Sequence, residues 1–202
     1  MYVPKHFQMK EQEAIAKFLE KYSFATIVSQ HKGKPTATHL PLIFNKEENA
    51  LFGHFARPNK QWIDMENQQV LVIFQGPHSY ISSSWYETSD AVPTWNYAAV
   101  HVYGEFEKIE EQDVILNHLQ ELVQKYEKPN SVYDLNKVDA NYFESLMKGI
   151  VAFKIKIETI EAKAKLSQNH TTERQQLVIH ELKNSQNPDS LAIAMMMEDN
   201  LK

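Results

Sequence analysis

No cysteine occurs in the 202 residues, which excludes disulfides, thiolate catalysis and Cys-ligated zinc. Glycine is scarce too, with five residues, and none of them builds a glycine-rich phosphate loop. With no strand–helix–strand alternation either, Rossmann and P-loop architectures are disfavoured. No run of Lys or Arg exceeds two residues. The formal net charge of −5 has the wrong sign for a non-specific nucleic-acid binder, which needs clustered cations for phosphate contacts. No stretch approaches the roughly 20 apolar residues of a membrane span, and the N-terminal MYVPKHFQMKEQ lacks an apolar run or cleavage signature. The chain reads as soluble and cytoplasmic. HExxH, a carboxylate cluster and GxSxG are all missing, so no metal ligand and no hydrolase triad is assigned.

What is present is a 43% apolar composition, enough for a core, arranged as short, evenly spaced strands. An amphipathic helix is predicted at about Glu11–Tyr22, with Ile15, Phe18, Leu19 and Tyr22 on one face. Strands follow at Ala25–Gln30, Thr36–Phe44 and Leu51–Phe55, with a turn at Gly33. A short helix runs from near Asn59 to near Met65. Val70–Gln75 reads as a buried strand broken by Gly76-Pro77, and Tyr97–Ile109 as a long one. Helices are expected over Glu110–Tyr126 and Asp139–Met147, the second closed by Gly149. Val151–Glu158 alternates as an edge or half-exposed strand, and AKAKLSQNH as an irregular loop. A capping box of Thr172 and Gln175 opens a helix to about Asn184. Asn187-Pro188 opens a last one, with Leu191, Met195 and Met196 as its apolar stripe. The pattern favours an antiparallel barrel with helices at its ends.

Two stretches have the composition of a site rather than a scaffold. Leu51–Trp62 and Gln75–Gly104 hold all three tryptophans, mixed with His, Asn, Gln and Pro. Flat apolar bodies with directed polar edges suit a flat, polar-edged ligand. In GHFARPNKQW a strand runs into a helix start that carries Arg57 and Lys60. Backbone N–H groups and cations there make an anion site, against the alternative of solvated surface charges. Thr38 and His39 lie on a strand that Pro41 interrupts, which marks an edge or a ligand-facing rim. Trp62, Trp95, Asn96 and Tyr97 could border a ring or simply pack. Lys165, Ser167, Gln168 and Asn169 form either a polar connection or an arm that reaches a ligand's edge.

The segments MYVPKHF, THLPL, GHFARPNKQW, FQGPHSYISSSWY, VPTWNYAAVHVYG and KLSQN, in that order, resemble the PaiB family of the FMN-binding split-barrel superfamily. The resemblance implies a mainly β fold with flanking helices, a six-stranded antiparallel Greek-key split β-barrel that works as a homodimer. Residues 1–170 would be the FMN-binding domain and 171–202 a helical extension packed on it. It implies FMN as cofactor. Thr38, His39, His54, Arg57, Asn59 and Lys60 would be phosphate and ribityl contacts. Trp62, Trp95, Asn96 and Tyr97 would serve the ring, and Lys165, Ser167, Gln168 and Asn169 would close over the flavin. Two positions depart from the family pattern. Ser83 stands where SYISPSWY has proline, and His170 stands where an arginine commonly follows KLSQN.

Members of that family are described as negative regulators of protease production and sporulation. The leading expectation is a flavin-dependent redox or flavin-sensing protein, with NAD(P)H a candidate reductant and no catalytic side chain assigned. The alternatives are a non-enzymatic regulator that binds DNA or a protein, with Lys154, Lys156, Lys163 and Lys165 as its basic stripe, and a haem-binding split barrel ligated by His6, His78 or His170.

Overall fold

The computed structural model describes residues 1–66, 68–87, 91–128, 131, 133, 139 and 145–202. Its strands are β1 (Phe24–His31), β2 (Lys34–Pro41), β3 (Ile43–Asn45), β4 (Ala50–Ala56), β5 (Gln69–Ile81), β6 (Thr94–Lys108) and β7 (Ile150–Lys165). Its helices are α1 (Gln12–Lys21), α2 (Gln112–Tyr126), α3 (Thr172–Lys183) and α4 (Pro188–Asn200). The strands join in one antiparallel sheet, in the order β2-β1-β5-β6-β7-β4-β3. This is the mainly β architecture with flanking helices that the sequence predicts. Among the described residues seven strands replace six because the Thr36–Phe44 stretch divides at Leu42 into β2, paired with β1, and β3, paired with β4.

The chain forms two compact units. One comprises Met1–Phe18, Gln75–His101 and Glu161–Lys202, the other Leu19–Phe74 and Val102–Ile160. The core of the latter is an aromatic cluster on strands β4, β6 and β7. Phe55 lies 5.0 Å and Phe106 5.1 Å from Phe153, centroid to centroid, and all three are at most 1% exposed. Two glycines permit this packing. A Cβ on Gly53 would come within 2.6 Å of Leu42 and 2.8 Å of Phe153, and one on Gly104 within 2.2 Å of the Lys156 carbonyl oxygen. On the opposite face Ala50, Phe52, Ile109 and Ala152 form a second apolar patch against Ile43 and Ile115. Strand β7 is therefore covered on both faces where it begins. Of the two expectations, edge or half-exposed, the second holds: β7 lies between β6 and β4, with Phe153 and Ile155 buried and Lys156 and Glu158 exposed.

In the other unit, β5 continues through Gly76-Pro77, where a break was expected. Gly76 leaves room for the Phe18 ring, which a Cβ would meet at 2.6 Å. The buried face slips by one residue there, from Val70, Val72, Phe74 and Gly76 to Pro77, Ser79 and Ile81. That slip lets the strand absorb a residue with no N–H to give the ladder. Strand β7 likewise runs on to Lys165, so the irregular loop begins at Leu166. The N-cap of α3 is Thr171, one residue before the expected capping box. Asn187 and Pro188 open α4 as predicted, Asn187 Oδ1 accepting from Asp189 N at 2.8 Å. Its buried residues are Ser190, Ile193, Ala194 and Met197, while Leu191 is 39% and Met195 65% exposed. The expected stripe was thus rotated, because it was anchored on the larger side chains rather than on where α3 packs. Most of the expected helix Asp139–Met147 lies outside the described residues, and residues 145–148 are helical.

The close approach at Gly104 gives a direct test. In Gly104→Ala the added methyl meets a backbone carbonyl that cannot rotate away. Chemical denaturation should show a loss of roughly 1–3 kcal/mol, with the larger part of that range expected.

Candidate functional site

A buried amide organises the turn after β4. Gln61, 1% exposed, opens a single 3₁₀ turn at Gln61–Asp64. Its Nε2 donates to Ser29 Oγ and the Thr36 carbonyl, both at 3.0 Å, and to the Ile27 carbonyl at 3.3 Å. Its Oε1 accepts from Thr38 Oγ1 at 2.6 Å. Asn59 completes the net: its Nδ2 donates to Thr38 Oγ1 at 2.9 Å and its Oδ1 accepts the Gln61 N–H at 3.0 Å. Thr38 and Asn59, both predicted, are therefore brought together and held fixed. Lys60 sits exposed between Asn59 and Gln61 in sequence. His39 is exposed on β2 and stacks on Phe24, ring centroids 6.5 Å apart.

Arg57 is a clasp. Its Nε donates to the Lys148 carbonyl at 2.5 Å and its Nη2 to the Ile150 carbonyl at 2.6 Å, while its own N–H bonds the Gly149 carbonyl at 2.8 Å. The guanidinium fork thus ties the turn to the start of β7. Trp62 closes the same turn through Nε1 on the Arg57 carbonyl at 3.4 Å.

His54 lies elsewhere, in the wall of an apolar cavity of about 420 Å³ between strand ends and α2. Its ring meets that of His118 edge-on at 5.9 Å. His118 is 3% exposed and neither of its ring nitrogens has a partner. Burial, reinforced by the charge of His54, pushes the His118 pKa down to about 4, and burial also lowers that of His54. Both imidazoles are neutral at pH 7.

A second cluster belongs to the other unit. Asn96, fully buried on β6, donates from Nδ2 to Ser167 Oγ at 3.0 Å. Ser167 adopts φ +64°, a left-handed conformation that a side chain reaches only when held. Gln168 folds back on its own loop, its Oε1 accepting from Leu166 N at 2.6 Å and its Nε2 donating to the Ala164 carbonyl at 2.7 Å. Lys165 donates to the Trp95 carbonyl at 2.9 Å and to the Thr94 hydroxyl. Trp95 is 52% exposed and lies 5.9 Å from both His78 and Tyr80. Tyr97 carries the Lys163 ammonium 5.0 Å from its ring centroid. A cavity of about 360 Å³ opens here, lined by Thr94, Asn96, Lys165, Asn169, His170 and Arg174 among others. His170 packs on Tyr86 at 5.0 Å. Burial, then Arg174 and Lys165, lower its pKa, so this position contributes a neutral ring where a permanent charge was weighed.

The suggested basic stripe is internally engaged. Lys154 and Lys156 both pair with Glu107, Lys154 at 3.2 Å. Lys163 is 7% exposed and donates to the Tyr2 carbonyl at 3.2 Å.

A family model described as "Putative FMN-binding domain" matches residues 1–159. The chain belongs to this family. Over its full length it is 47% identical to "Protease synthase and sporulation protein PAI 2" of Bacillus subtilis (strain 168), 206 aligned residues covering 99% of that protein. This places it with the PaiB proteins that the six motifs resemble. An uncharacterized Saccharomyces cerevisiae protein is 36% identical across 63% of this chain and 90% of its own length. Among solved structures, a flavocytochrome from Azotobacter vinelandii shares the fold at a TM-score of 0.65 and 16% identity, covering 81% of this chain and 72% of that one. A FAD and haem binding protein from Mycobacterium smegmatis does so at 0.63 and 15%, covering 83% and 78%.

Within this FMN-binding family member, sequence reasoning quoted Gln61 in a motif without giving it a role, and missed His118 and Arg174. A glutamine between a cation and a tryptophan carries no signal of burial, and His118 falls on a helix face among leucines that reads as plain core.

Two measurements follow. Gln61→Leu fills the same space but strands the Thr38 and Ser29 hydroxyls, and should cost roughly 1–3 kcal/mol in a denaturant titration. The unfolded chain protonates His118 near pH 6.5, the native protein near 4. Stability is therefore full above pH 6.5 and falls with pH down to about 4. His118 contributes about 3 kcal/mol of that loss. In His118→Leu the dependence over this window should flatten by a comparable amount.

Proposed function

We propose that this protein binds FMN and acts through the bound flavin, as a redox or flavin-sensing protein rather than as a DNA-binding one. The observation that carries the reading is the Gln61–Thr38–Asn59 net, which holds one short turn rigid in a segment that the FMN-binding family model covers. A phosphate needs donors that do not have to be reorganised on binding, and this turn supplies a fixed floor beneath the Lys60 ammonium. Lys60, Asn59 and the exposed His39 hold the phosphate end. Arg57 keeps the turn in place through backbone carbonyls.

The cavity beside Ser167 suits the other end of the cofactor. Lys165, Asn169 and Arg174 line it with donors, the chemistry required by the acceptor-rich pyrimidine edge of an isoalloxazine. In the homodimer implied by the family resemblance, this arm of one copy serves the flavin of the other. Bound FMN supplies hydride or electron transfer at its ring. The side chains orient it, exclude water and set the charge beside it. No side chain here is assigned as a proton donor or acceptor, and NAD(P)H is the proposed source of reducing equivalents.

The anionic net charge and the internal pairing of Lys154, Lys156 and Lys163 weigh against a direct DNA contact. An effect on protease production and sporulation, the subject of the B. subtilis relative's name, is then exerted through the flavin state or a protein partner.

Purified protein mixed with FMN and freed of excess flavin should retain flavin absorption bands with quenched fluorescence. Lys60→Ala should weaken FMN about tenfold or more, the loss of one charge-assisted contact, while melting like the parent. Arg57→Ala would also unclasp β7, so it does not separate binding from folding. A colourless protein, or a Lys60→Ala variant that binds FMN like the parent, would remove the reading.

A further inference from the structure

We propose that the apolar cavity beside α2, whose lining shares no residue with the Ser167 cavity or the Gln61–Thr38–Asn59 net, is a second binding site for a neutral molecule with an aromatic or aliphatic body and one hydroxyl head. At about 420 Å³ it falls within the range of small-molecule sites. Leu119, Leu122 and Val123 from α2 face Pro41, Leu146 and Ile150 across it. Such a wall binds an apolar body and gives nothing to a phosphate or a sugar.

The polar groups at its edge define the head. The Tyr126 hydroxyl is engaged with Ser23 Oγ at 2.6 Å, and Glu127 places a carboxylate at the rim, which disfavours an anion. His54 remains. Its Nδ1 is buried without a partner, so nothing on that side fixes the tautomer, and the ring can offer either an N–H or a lone pair. Behind it stands His118, 3% exposed with both nitrogens unpartnered. Buried polar atoms without partners are rare and call for an explanation. Two neutral, edge-to-face imidazoles, His54 in the cavity wall and His118 next to it but outside the lining, fit a hydroxyl on the His54 side, which both gives and accepts a hydrogen bond. They do not fit a charged group, which would need a counter-ion, nor a pure hydrocarbon, which would leave them as they are.

The test uses the full-length protein and three probes of one size: 2-naphthol, naphthalene and 2-naphthoate. Calorimetric titration should show 2-naphthol binding one per chain, naphthalene about tenfold weaker, and no measurable binding of 2-naphthoate. The imidazole NMR signals of His54 and His118 should shift in step with 2-naphthol. Leu119→Trp, which fills the cavity, should abolish binding while FMN retention is unchanged. Imidazole signals that ignore 2-naphthol would overturn the proposal in the parent protein alone, whatever the variant's folding. Equal affinity for 2-naphthol and naphthalene would overturn the hydroxyl head, and a folded Leu119→Trp variant that binds like the parent would overturn the location. FMN binding is measured separately, so its failure and this one are distinguishable.

Discussion

The buried amide of Gln61 is the interaction on which the proposed phosphate turn depends. A primary amide can give two hydrogen bonds and accept two, and here it bonds two strand carbonyls and two hydroxyls at once. Low local polarity makes each bond stronger and makes its loss more costly. The strands β1 and β2 are thereby pinned to a turn that lies more than twenty residues on, and Thr38 and Asn59 follow. Side chains add rigidity to this turn, whose own backbone bonds are few, Ile63 N to the Lys60 carbonyl and Met65 N to the Trp62 carbonyl, both at 3.2 Å.

The cations of the chain divide between structure and ligand. Arg57 satisfies carbonyls at the mouth of β7, and Lys154 and Lys156 share Glu107. Lys163 lies buried under Tyr2 and Tyr97. Lys165 serves strand β6, with an ammonium pKa lowered by burial and by Lys163. Each of these reads as a free charge in one dimension. In three, the exposed Lys60 and the donors that line the Ser167 cavity are what the proposed flavin would use. A protein with net charge −5 that places its donors in two small clusters is suited to a compact anionic cofactor, not to a polyanion's long backbone.

The fold was largely legible because its signals are local. Period-two alternation marked most of the strands, the Asn187-Pro188 pair marked the start of α4, and six ordered motifs marked the family. The errors arose where distant chain decides. Gly76-Pro77 looks like a terminator, but Phe18 packing on Gly76 carries the strand through. The apolar stripe of α4 was rotated because hydrophobicity alone does not say which side α3 covers. The lysine alternation of β7 fitted either an edge or a half-exposed strand, and neighbours on both sides decide for the second. For the proposed site, Thr38, Asn59 and Lys60, like Asn96 and Ser167, were named from the motifs that resemble the family. The distinction between a clasping Arg57 and a binding one was not legible there.

By itself, the sequence determined composition, charge, strand spacing and family, all of which depend on residue identity and near neighbours. Tertiary structure alone decided which polar groups are satisfied internally and which remain for a ligand. Hydrogen bonds from Gln61 to Ile27, from Arg57 to Ile150 and from Asn96 to Ser167 join residues 34, 93 and 71 positions apart. No local pattern encodes such pairings, because they form only after the apolar residues have brought the strands together.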